Sequence, residues 1–379
     1  MVIMAAHKDS DDLDENTLLF DRFLFRLEKR IPFLGMNPLN EDSEKKKFFS
    51  EDDYSPRFRY AKHSFKYANL LRKCEELKLD ESVINRLLLQ KLQKFKKTSA
   101  MLQGLGGEEF IFFSGKIFGV PSKQLVNKAH RILKQAPVSD DKKYTSRQVV
   151  SHLRRSLKKL GLKEWGVRIK SMTANAAVNM TSKKVFVKKN EFFSRNFLKR
   201  VVAHEIGAHV LRIMNGEKQP YILFRRGLPG YLMTEEGLAV NIEEMFDCLK
   251  INTLRAYAAR VVSVDLSLKA GFREVFGHMK EYFDDSLAWR FTVRAKRGLT
   301  DTSLPGAYTK DHLYLKGYYE VKKFLEKKGG AGLKKLYYGK IGLEHIHLMP
   351  QIKGLKEPDL TPASKDFKKV LSKVMKRFD

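Results

Sequence analysis

Cysteine is scarce in this chain: Cys74 and Cys248 are the two cysteines among 379 residues, and they are far apart in the sequence. Two distant cysteines in helical-looking contexts cannot build a disulfide framework or a thiolate metal cluster. A bound metal ion would therefore take its ligands from histidine, carboxylate or water. Scarce cysteine also fits a reducing compartment, so we expect a cytoplasmic protein.

Long apolar runs are missing as well. No stretch of the sequence approaches the roughly 18 uncharged apolar residues that a membrane-spanning helix requires. The opening segment, residues 1–15, has too short an apolar run before its acidic residues to be a signal peptide. Since 43% of the residues are hydrophobic, a disordered chain is excluded. We expect a soluble protein with no membrane span.

Acidic residues are few relative to basic ones, with 44 Asp and Glu against 73 Lys and Arg and a formal net charge of +29. Such an excess attracts anionic partners over long range, whether a nucleic acid, an anionic membrane or an acidic protein tail. The alternative is a lysine-rich surface that serves only solubility. The net charge alone does not identify the partner. A nucleic acid is one possible partner, but it is not the favoured one.

The spacing of apolar residues changes near residue 145. Before it, apolar residues recur every three or four positions, which predicts a helical amino-terminal domain of residues 1–145. After it, residues 165–172 and 183–189 alternate like short strands, and the segment between them is a turn or a third strand. A helix follows from Ser194, a suitable N-cap. We therefore expect a mainly helical α+β fold, with a small sheet packed on that helix in a second domain of residues 146–379.

The sequence HEIGAH, residues 204–209, lies on this helix. The H-E-x-x-H signature of metalloproteases places two histidines four apart on one helical face, with a glutamate as general base. Here the histidines are five apart, which separates them by roughly 140° on a straight α-helix. A single π-type turn absorbs the extra residue, and Gly207 lies where the backbone tolerates distortion best. We predict a π-bulge that brings His204 and His209 onto one face.

A catalytic metal site needs a third ligand, because a catalytic zinc has three protein ligands and one open position. Glu236, in the first turn of the next predicted helix, is the candidate, although the helix dipole alone favours acidic residues there. His345 and His347 are the other candidates. The alternative to a metal site is a buried helix with two hydrogen-bonded histidines. Against it stands Glu205, since an unpaired carboxylate in so apolar a segment is costly.

Three motifs together resemble a known family, the HExxxH metallocarboxypeptidases, which includes the microtubule-associated tyrosine carboxypeptidase and bacterial relatives named for a Q-E-G-L-A motif. The matching stretches are HEIGAHVLR at 204–212, TEEGLA at 234–239 and VRAKRGLTDTSLPG at 293–306, with SPRFRY at 55–60 as a further candidate. The resemblance covers roughly residues 145–350. It implies that residues 146–379 form a metallopeptidase catalytic domain with a zincin-like active-site helix.

The resemblance also implies roles for individual residues. His204, His209 and Glu236 would bind Zn²⁺, and Glu205 would be the catalytic base. Zinc would polarise the scissile carbonyl and lower the pKa of a water, whose proton Glu205 takes and later gives to the leaving amine. Glu235 stands where the bacterial motif has glutamine, which puts substrate preference in question more than metal binding.

A carboxypeptidase must also hold the free carboxylate of its substrate, which arginine does best through a bidentate pair. Arg290, Arg294 and Arg297 form one helical stripe, for which a solvated face is the alternative; the resemblance covers the last two together with Lys296. The predicted substrate-binding residues are Arg226, Arg294, Lys296, Arg297, Tyr308 and Tyr314.

The expected function is a zinc-dependent carboxypeptidase that removes carboxy-terminal residues, such as Tyr or Phe, from proteins or peptides with acidic tails. A rival interpretation is a basic nucleic-acid-binding or scaffold protein with a structural or non-catalytic metal site. Such a protein would have no need of Glu205. A third interpretation is an endopeptidase, which would cleave peptides whose carboxy terminus is amidated.

Overall fold

The computed structural model describes residues 13–31, 33–61, 67–172 and 174–375. The signal-peptide expectation concerns residues 1–15 and so falls mostly outside these ranges. Within these ranges helices dominate, and five short strands form two small sheets, which confirms the predicted mainly helical α+β class. None of the helices in the described ranges is long and apolar enough to cross a membrane.

The amino-terminal part is helical, as predicted. Its helices are α1 (Glu15–Glu28), α2 (Glu41–Ser50), α3 (Ala68–Glu75), α4 (Val83–Gln103), α5 (Glu108–Phe118) and α6 (Lys123–Leu133). Ser82 and Ser122 cap α4 and α6, because each side chain accepts a hydrogen bond from the backbone N–H three residues on. The two glycines of SGKIFG, residues 114–119, are typical of a turn, but the segment is helical up to Phe118. A Cβ on Gly115 would have no described atom within 4 Å.

The strands frame the start of the second half of the chain. Strand β1 (Lys142–Thr145) leads into α7 (Ser146–Lys159), followed by β2 (Gly166–Lys170), β3 (Ala176–Asn179), β4 (Lys184–Lys188) and β5 (Phe192–Ser194). The three-stranded sheet has the order β2-β4-β3, with β2 parallel and β3 antiparallel to β4. The segment between the two predicted strands therefore contains a third strand, one of the two alternatives. β1 pairs with β5.

One continuous helix, here called the HEIGAH helix, carries the motif. It consists of α8 (Arg195–Val201), a π-helical segment (Val202–Val210) and α9 (Leu211–Glu217). Ser194 caps it, since its Oγ accepts from the backbone N–H of Phe197 at 3.2 Å. The π-bulge and the N-cap were both predicted, and both are confirmed.

Gly207 has a packing role within the π-helical segment. A Cβ at this position would lie 2.8 Å from Cζ of Phe367 and 3.3 Å from Cγ2 of Ile242, too close for a real side chain. The Tyr337 hydroxyl donates a 2.6 Å hydrogen bond to the Gly207 carbonyl. The glycine thus admits neighbouring side chains to the bulge, and a tyrosine from outside the helix satisfies its carbonyl.

The remaining helices follow the HEIGAH helix in the chain. They are α10 (Leu223–Arg226), α11 (Leu232–Met245), α12 (Ile251–Ser267), α13 (Phe272–Lys280), α14 (Asp285–Lys296), α15 (Leu313–Lys335) and α16 (Lys365–Met375). The glycine of TEEGLA allows two of them to cross closely, because a Cβ on Gly237 would lie 2.1 Å from the backbone of Gly317. Helix α11 is thereby fixed between α15 and the HEIGAH helix.

Local sequence favours two features in this region that the structure does not have. Thr234 is a residue type that favours an N-cap, but α11 begins two residues earlier, and Oγ1 of Thr234 accepts from the N–H of Leu343 at 3.0 Å. The x-H-x-H spacing of His345 and His347 suits a strand or loop, but His345 lies in a 3₁₀-helical segment, Leu343–Gln351, and its Nδ1 accepts from the N–H of Gly342. That hydrogen bond and its burial engage His345 in local structure, away from the metal-ligand candidates.

Packing crosses the proposed boundary between residues 145 and 146. Phe20 and Leu87 share a core with Phe224 and Ile341, and the buried Ala129 packs in a core with residues of α12. The stretch 55–60 contacts the 293–306 motif, where the N–H of Phe58 donates to the Thr300 carbonyl at 2.9 Å. The division into two domains stays a prediction. The amino-terminal helices pack directly against elements of the second half and share hydrophobic cores with them.

Candidate metal centre and cavity

The π-bulge brings the two motif histidines together. The ring centroids of His204 and His209 are 5.0 Å apart, with the ring planes at 73°. Glu236, from the second turn of α11, completes a group in which one ligand atom from each residue lies within 4.8 Å of the other two. The structure thus assembles the three residues named as ligands from the sequence.

Each histidine is oriented by a carboxylate on α11. Nδ1 of His204 lies 2.6 Å from Oε1 of Glu243, and Nδ1 of His209 lies 2.8 Å from Oε1 of Glu235. An ionised carboxylate only accepts hydrogen bonds, so each Nδ1–H donates, and Nε2 is left with its lone pair for an ion. Two imidazoles and one further carboxylate form a donor set that suits zinc, so the residues fit the expected ion.

Glu235 is the more heavily engaged of the two orienting carboxylates. It also accepts from Nη1 of Arg212 and lies 3.0 Å from Nζ of Lys340. Burial alone would raise the pKa of Glu235, but the charges of Lys340 and Arg212 hold it well below its usual range. The departure from the bacterial glutamine therefore places a buried, ionised carboxylate behind His209.

Glu243 was not predicted from the sequence. Burial disfavours a charge on His204, yet the hydrogen bond to Glu243 and its negative charge raise the pKa of His204 above its usual value. The signal was present seven positions after Glu236, where a residue lies on the same face of α11 two turns on.

The ligand candidates and Glu205 line one large cavity of about 590 Å³. Glu205 is 8% exposed and comes from the same π-helical segment as the histidines. Strand β3 borders the opening through residues 176–178, and Asn37 and Pro38 border it from the amino-terminal part. The cavity is therefore formed by both halves of the chain.

Cationic side chains are concentrated in this cavity. Those that line it are Arg200, Arg260, Arg290, Arg294, Arg297 and Lys340, beside Tyr231, Tyr257 and Tyr314. Arg294 and Arg297 share one acceptor: Nε of Arg294 lies 2.5 Å from Oδ2 of Asp311, and Nη2 of Arg297 lies 3.5 Å from its Oδ1. Of the six predicted substrate-binding residues, Arg294, Arg297 and Tyr314 reach the cavity.

The other three do not line it. Arg226 lies 3.5 Å from Glu28 and over the ring of Phe25, so it ties α10 to α1. Lys296 is fully buried and donates to the carbonyls of Ser267, Ala270 and Leu304, which anchors the loop after α14. Tyr308 is 2% exposed beneath Arg297. In each case a long-range contact holds the side chain away from the opening.

A model of the family described as microtubule-associated tyrosine carboxypeptidase matches residues 46–377. The chain belongs to this family. The match begins well before the predicted domain boundary, so family sequence includes helices of the amino-terminal part. The resemblance that the three motifs indicated is confirmed.

Individual relatives are similar over most of the chain. Human microtubule-associated tyrosine carboxypeptidase 1 is 27% identical over 324 residues, covering 84% of this chain and 61% of the human protein. The mouse protein of the same name is 26% identical over 294 residues, covering 75% and 55%. Mouse putative tyrosine carboxypeptidase MATCAP2 is 27% identical over 304 residues, covering 77% and 51%. The chain thus spans between half and two-thirds of the length of these relatives.

Proposed function

We propose that this protein is a zinc-dependent carboxypeptidase that removes carboxy-terminal residues, in particular Tyr or Phe, from proteins or peptides. The observation that carries the proposal is the convergence of His204, His209 and Glu236 beside Glu205 in a cavity lined by arginines. The relatives bear the name tyrosine carboxypeptidase, which supports an aromatic terminal residue. Two buried free cysteines suit activity in the reducing cytoplasm.

The ligand residues would hold the ion through Nε2 of His204, Nε2 of His209 and a carboxylate oxygen of Glu236. A zinc ion held there would supply Lewis-acid polarisation of a carbonyl oxygen and lower the pKa of a water. Glu243 and Glu235 keep each Nδ1 protonated and each ring fixed. Glu205 is not one of the three proposed ligands and is therefore available for proton transfer.

Glu205 is the group assigned to proton transfer. Its carboxylate takes a proton from the attacking water and later delivers that proton to the departing amine nitrogen. Its burial restricts the water around it, and its place one residue after His204 fixes it beside the ligands. A base in this position is what a hydrolytic metal site requires.

The substrate class follows from charge. The cavity arginines and the net charge of +29 favour a substrate with an acidic tail. Peptides with acidic residues before the terminal Tyr should be cleaved faster than neutral ones at low salt, with the advantage shrinking as salt rises. Equal rates for both peptides at low and high salt would remove acidic tails from the proposal.

The deciding experiment is mass spectrometry of peptide termini. Wild type and the Glu205→Gln variant are incubated with a proteome-derived peptide mixture, with Glu108→Gln, an exposed glutamate on α5, as matched control. We expect wild type and Glu108→Gln to release single terminal residues. Glu205→Gln should lose roughly 10²- to 10⁴-fold in rate while keeping bound metal and melting temperature.

Two outcomes would redirect the proposal. Cleavage of carboxy-terminally amidated peptides as fast as of free acids would identify an endopeptidase. Equal peptide termini with wild type and Glu205→Gln, with metal bound in both, would identify a non-catalytic metal site, as in the nucleic-acid-binding or scaffold alternative.

A further inference from the structure

The arginines of the cavity divide into two groups. Arg200 is paired with Glu243, and Arg294 and Arg297 are paired with Asp311. Among the described residues, Arg260 and Arg290 have no carboxylate within 4 Å. The cavity therefore contains two arginines that form no ion pair with the described residues.

Charges at this end of the cavity are close enough to influence one another. Burial raises the pKa of Asp311, but Arg294, Arg297 and Arg260 together hold it below its usual range. One aspartate thus faces several guanidinium groups, and the excess positive charge is suited to an incoming anion.

Arg260 is held in place by two aromatic rings. Its Cζ lies 4.4 Å from the ring centroid of Tyr314 and 5.0 Å from that of Tyr257, and these rings stack on each other with centroids 5.4 Å apart. Its Nε is buried and has no hydrogen-bond partner in the part of the chain that the structure describes. A guanidinium fixed through its face keeps its N–H edges available, and this preorganisation favours a planar bidentate acceptor.

Arg290 differs in its surroundings. Its side chain is exposed at the edge of the cavity, and the ring near its guanidinium is that of its sequence neighbour Phe291, at 5.6 Å. Arg260 is half-buried on α12, and the ring of Tyr314 beneath it lines the same cavity as the ligand candidate Glu236. Arg260 therefore lies on the inner wall of this cavity, whereas Arg290 belongs to the rim.

We propose that Arg260 binds the α-carboxylate of the substrate's terminal residue and so makes the site selective for free carboxy termini. This inference rests on the proposed function and names the residue that would carry out its exopeptidase specificity. It replaces the assignment of that task to Arg294, Lys296 and Arg297, since the first and last are paired with Asp311 and Lys296 is buried elsewhere.

The test is a binding experiment with the metal-loaded full chain carrying Glu205→Gln. Two peptides without Asp or Glu, both ending in Tyr, differ only in a free or an amidated carboxy terminus. We expect the free acid to bind about 10- to 100-fold more tightly, because charge-assisted bidentate pairs are the strong ones. Adding Arg260→Met should bring the two dissociation constants within about threefold.

The matched control is Arg290→Met, which removes the same charge from the same cavity and should preserve the preference. Arg260→Lys keeps the charge but not the bidentate geometry and should retain part of it. Circular dichroism monitors folding; if Arg260→Met does not fold, Arg260→Lys decides, and it must reduce the preference at least threefold. An undiminished preference without Arg260, or an equal loss in Arg290→Met, would overturn the inference.

Failure of the proposed function has a different signature. Wild type would then release no terminal residue from either peptide, while an Arg260-dependent preference for the free acid would still be measurable in the Glu205→Gln background. Conversely, terminal-residue release with an Arg260-independent preference would leave the carboxypeptidase proposal intact and refute only the role of Arg260.

Discussion

His204 and His209 receive their orienting carboxylates from the same helix, but from very different surroundings. Glu235, behind His209, is 2% exposed and accepts from the fully buried Arg212 and from Lys340. Glu243, behind His204, is fully buried and lies 3.4 Å from the partly exposed Arg200, and its Oε2 has no hydrogen-bond partner among the described residues. Glu235 thus belongs to a buried ionic network with two cations, whereas Glu243 has one cation, Arg200, besides its histidine.

The network around Glu235 reaches beyond the metal centre. Nε of Arg212 also donates to the carbonyls of Leu336 and Gly339, and its Nη2 donates to that of Ile341. Through Glu235 these bonds connect the HEIGAH helix, α11 and the segment after α15. The difference teaches that a ligand-orienting carboxylate can also join elements of the fold, and that only Glu235 does so extensively.

The largest expected effect is therefore that of Glu235→Ala on folding. Removing this carboxylate leaves the buried Arg212 without its counter-ion, and breaking a buried pair in this way costs about 3–5 kcal/mol. Urea unfolding of the chelator-treated protein measures the loss without any contribution from a metal. A loss below about 1 kcal/mol would contradict the view of Glu235 as a crosslink.

The stability that Glu235 contributes should also depend on pH. A group with a lowered pKa stabilises the fold above its ordinary pKa and ceases to do so as the pH falls through the folded value. The pKa of Glu235 is lowered. The stability gap between wild type and Glu235→Ala should thus be constant from about pH 6 to 8 and shrink only below about pH 4.

Glu243→Ala should show the converse pattern, with a larger effect on metal binding than on folding. The lost hydrogen bond to Nδ1 of His204 should weaken metal affinity about 10- to 100-fold, as is typical for such orienting partners. The unfolding free energy should fall by only about 1–2 kcal/mol, since Arg200 can turn to solvent. Competition with a chromophoric chelator measures the affinity, and urea unfolding of the chelator-treated protein measures the stability.

Local chemistry explains what could be predicted from the sequence. The π-bulge followed from a five-residue spacing with a glycine inside it, and the cap at Ser194 from its position before a periodic apolar run. Strand β3 was one of two alternatives for its segment. Each depends on residues within a few positions of one another, so the pattern in the sequence contains the physical cause.

Long-range pairing explains what could not be predicted. Arg294 and Arg297 occupy one helical stripe, as the spacing indicates, but their engagement with Asp311 depends on how the following loop folds back. Lys296 looks like a substrate-binding cation until Ser267, Ala270 and Leu304 surround it. Glu243 is in phase with Glu236 on α11, yet its contact with His204 depends on how closely α11 crosses the HEIGAH helix.

The smallest expected effect is that of removing the charge of Arg200, the cation beside Glu243. Arg200→Gln should lower the unfolding free energy by no more than about 1 kcal/mol, because the 3.4 Å contact of Arg200 with Glu243 is long and the arginine is 23% exposed. Metal affinity should fall by less than about threefold, since the hydrogen bond between His204 and Glu243 remains. Urea unfolding and chelator competition are measured as for Glu243→Ala. A loss as large as that of Glu235→Ala would show that Glu243 also depends on a buried ionic network, and the distinction between the two carboxylates would fail.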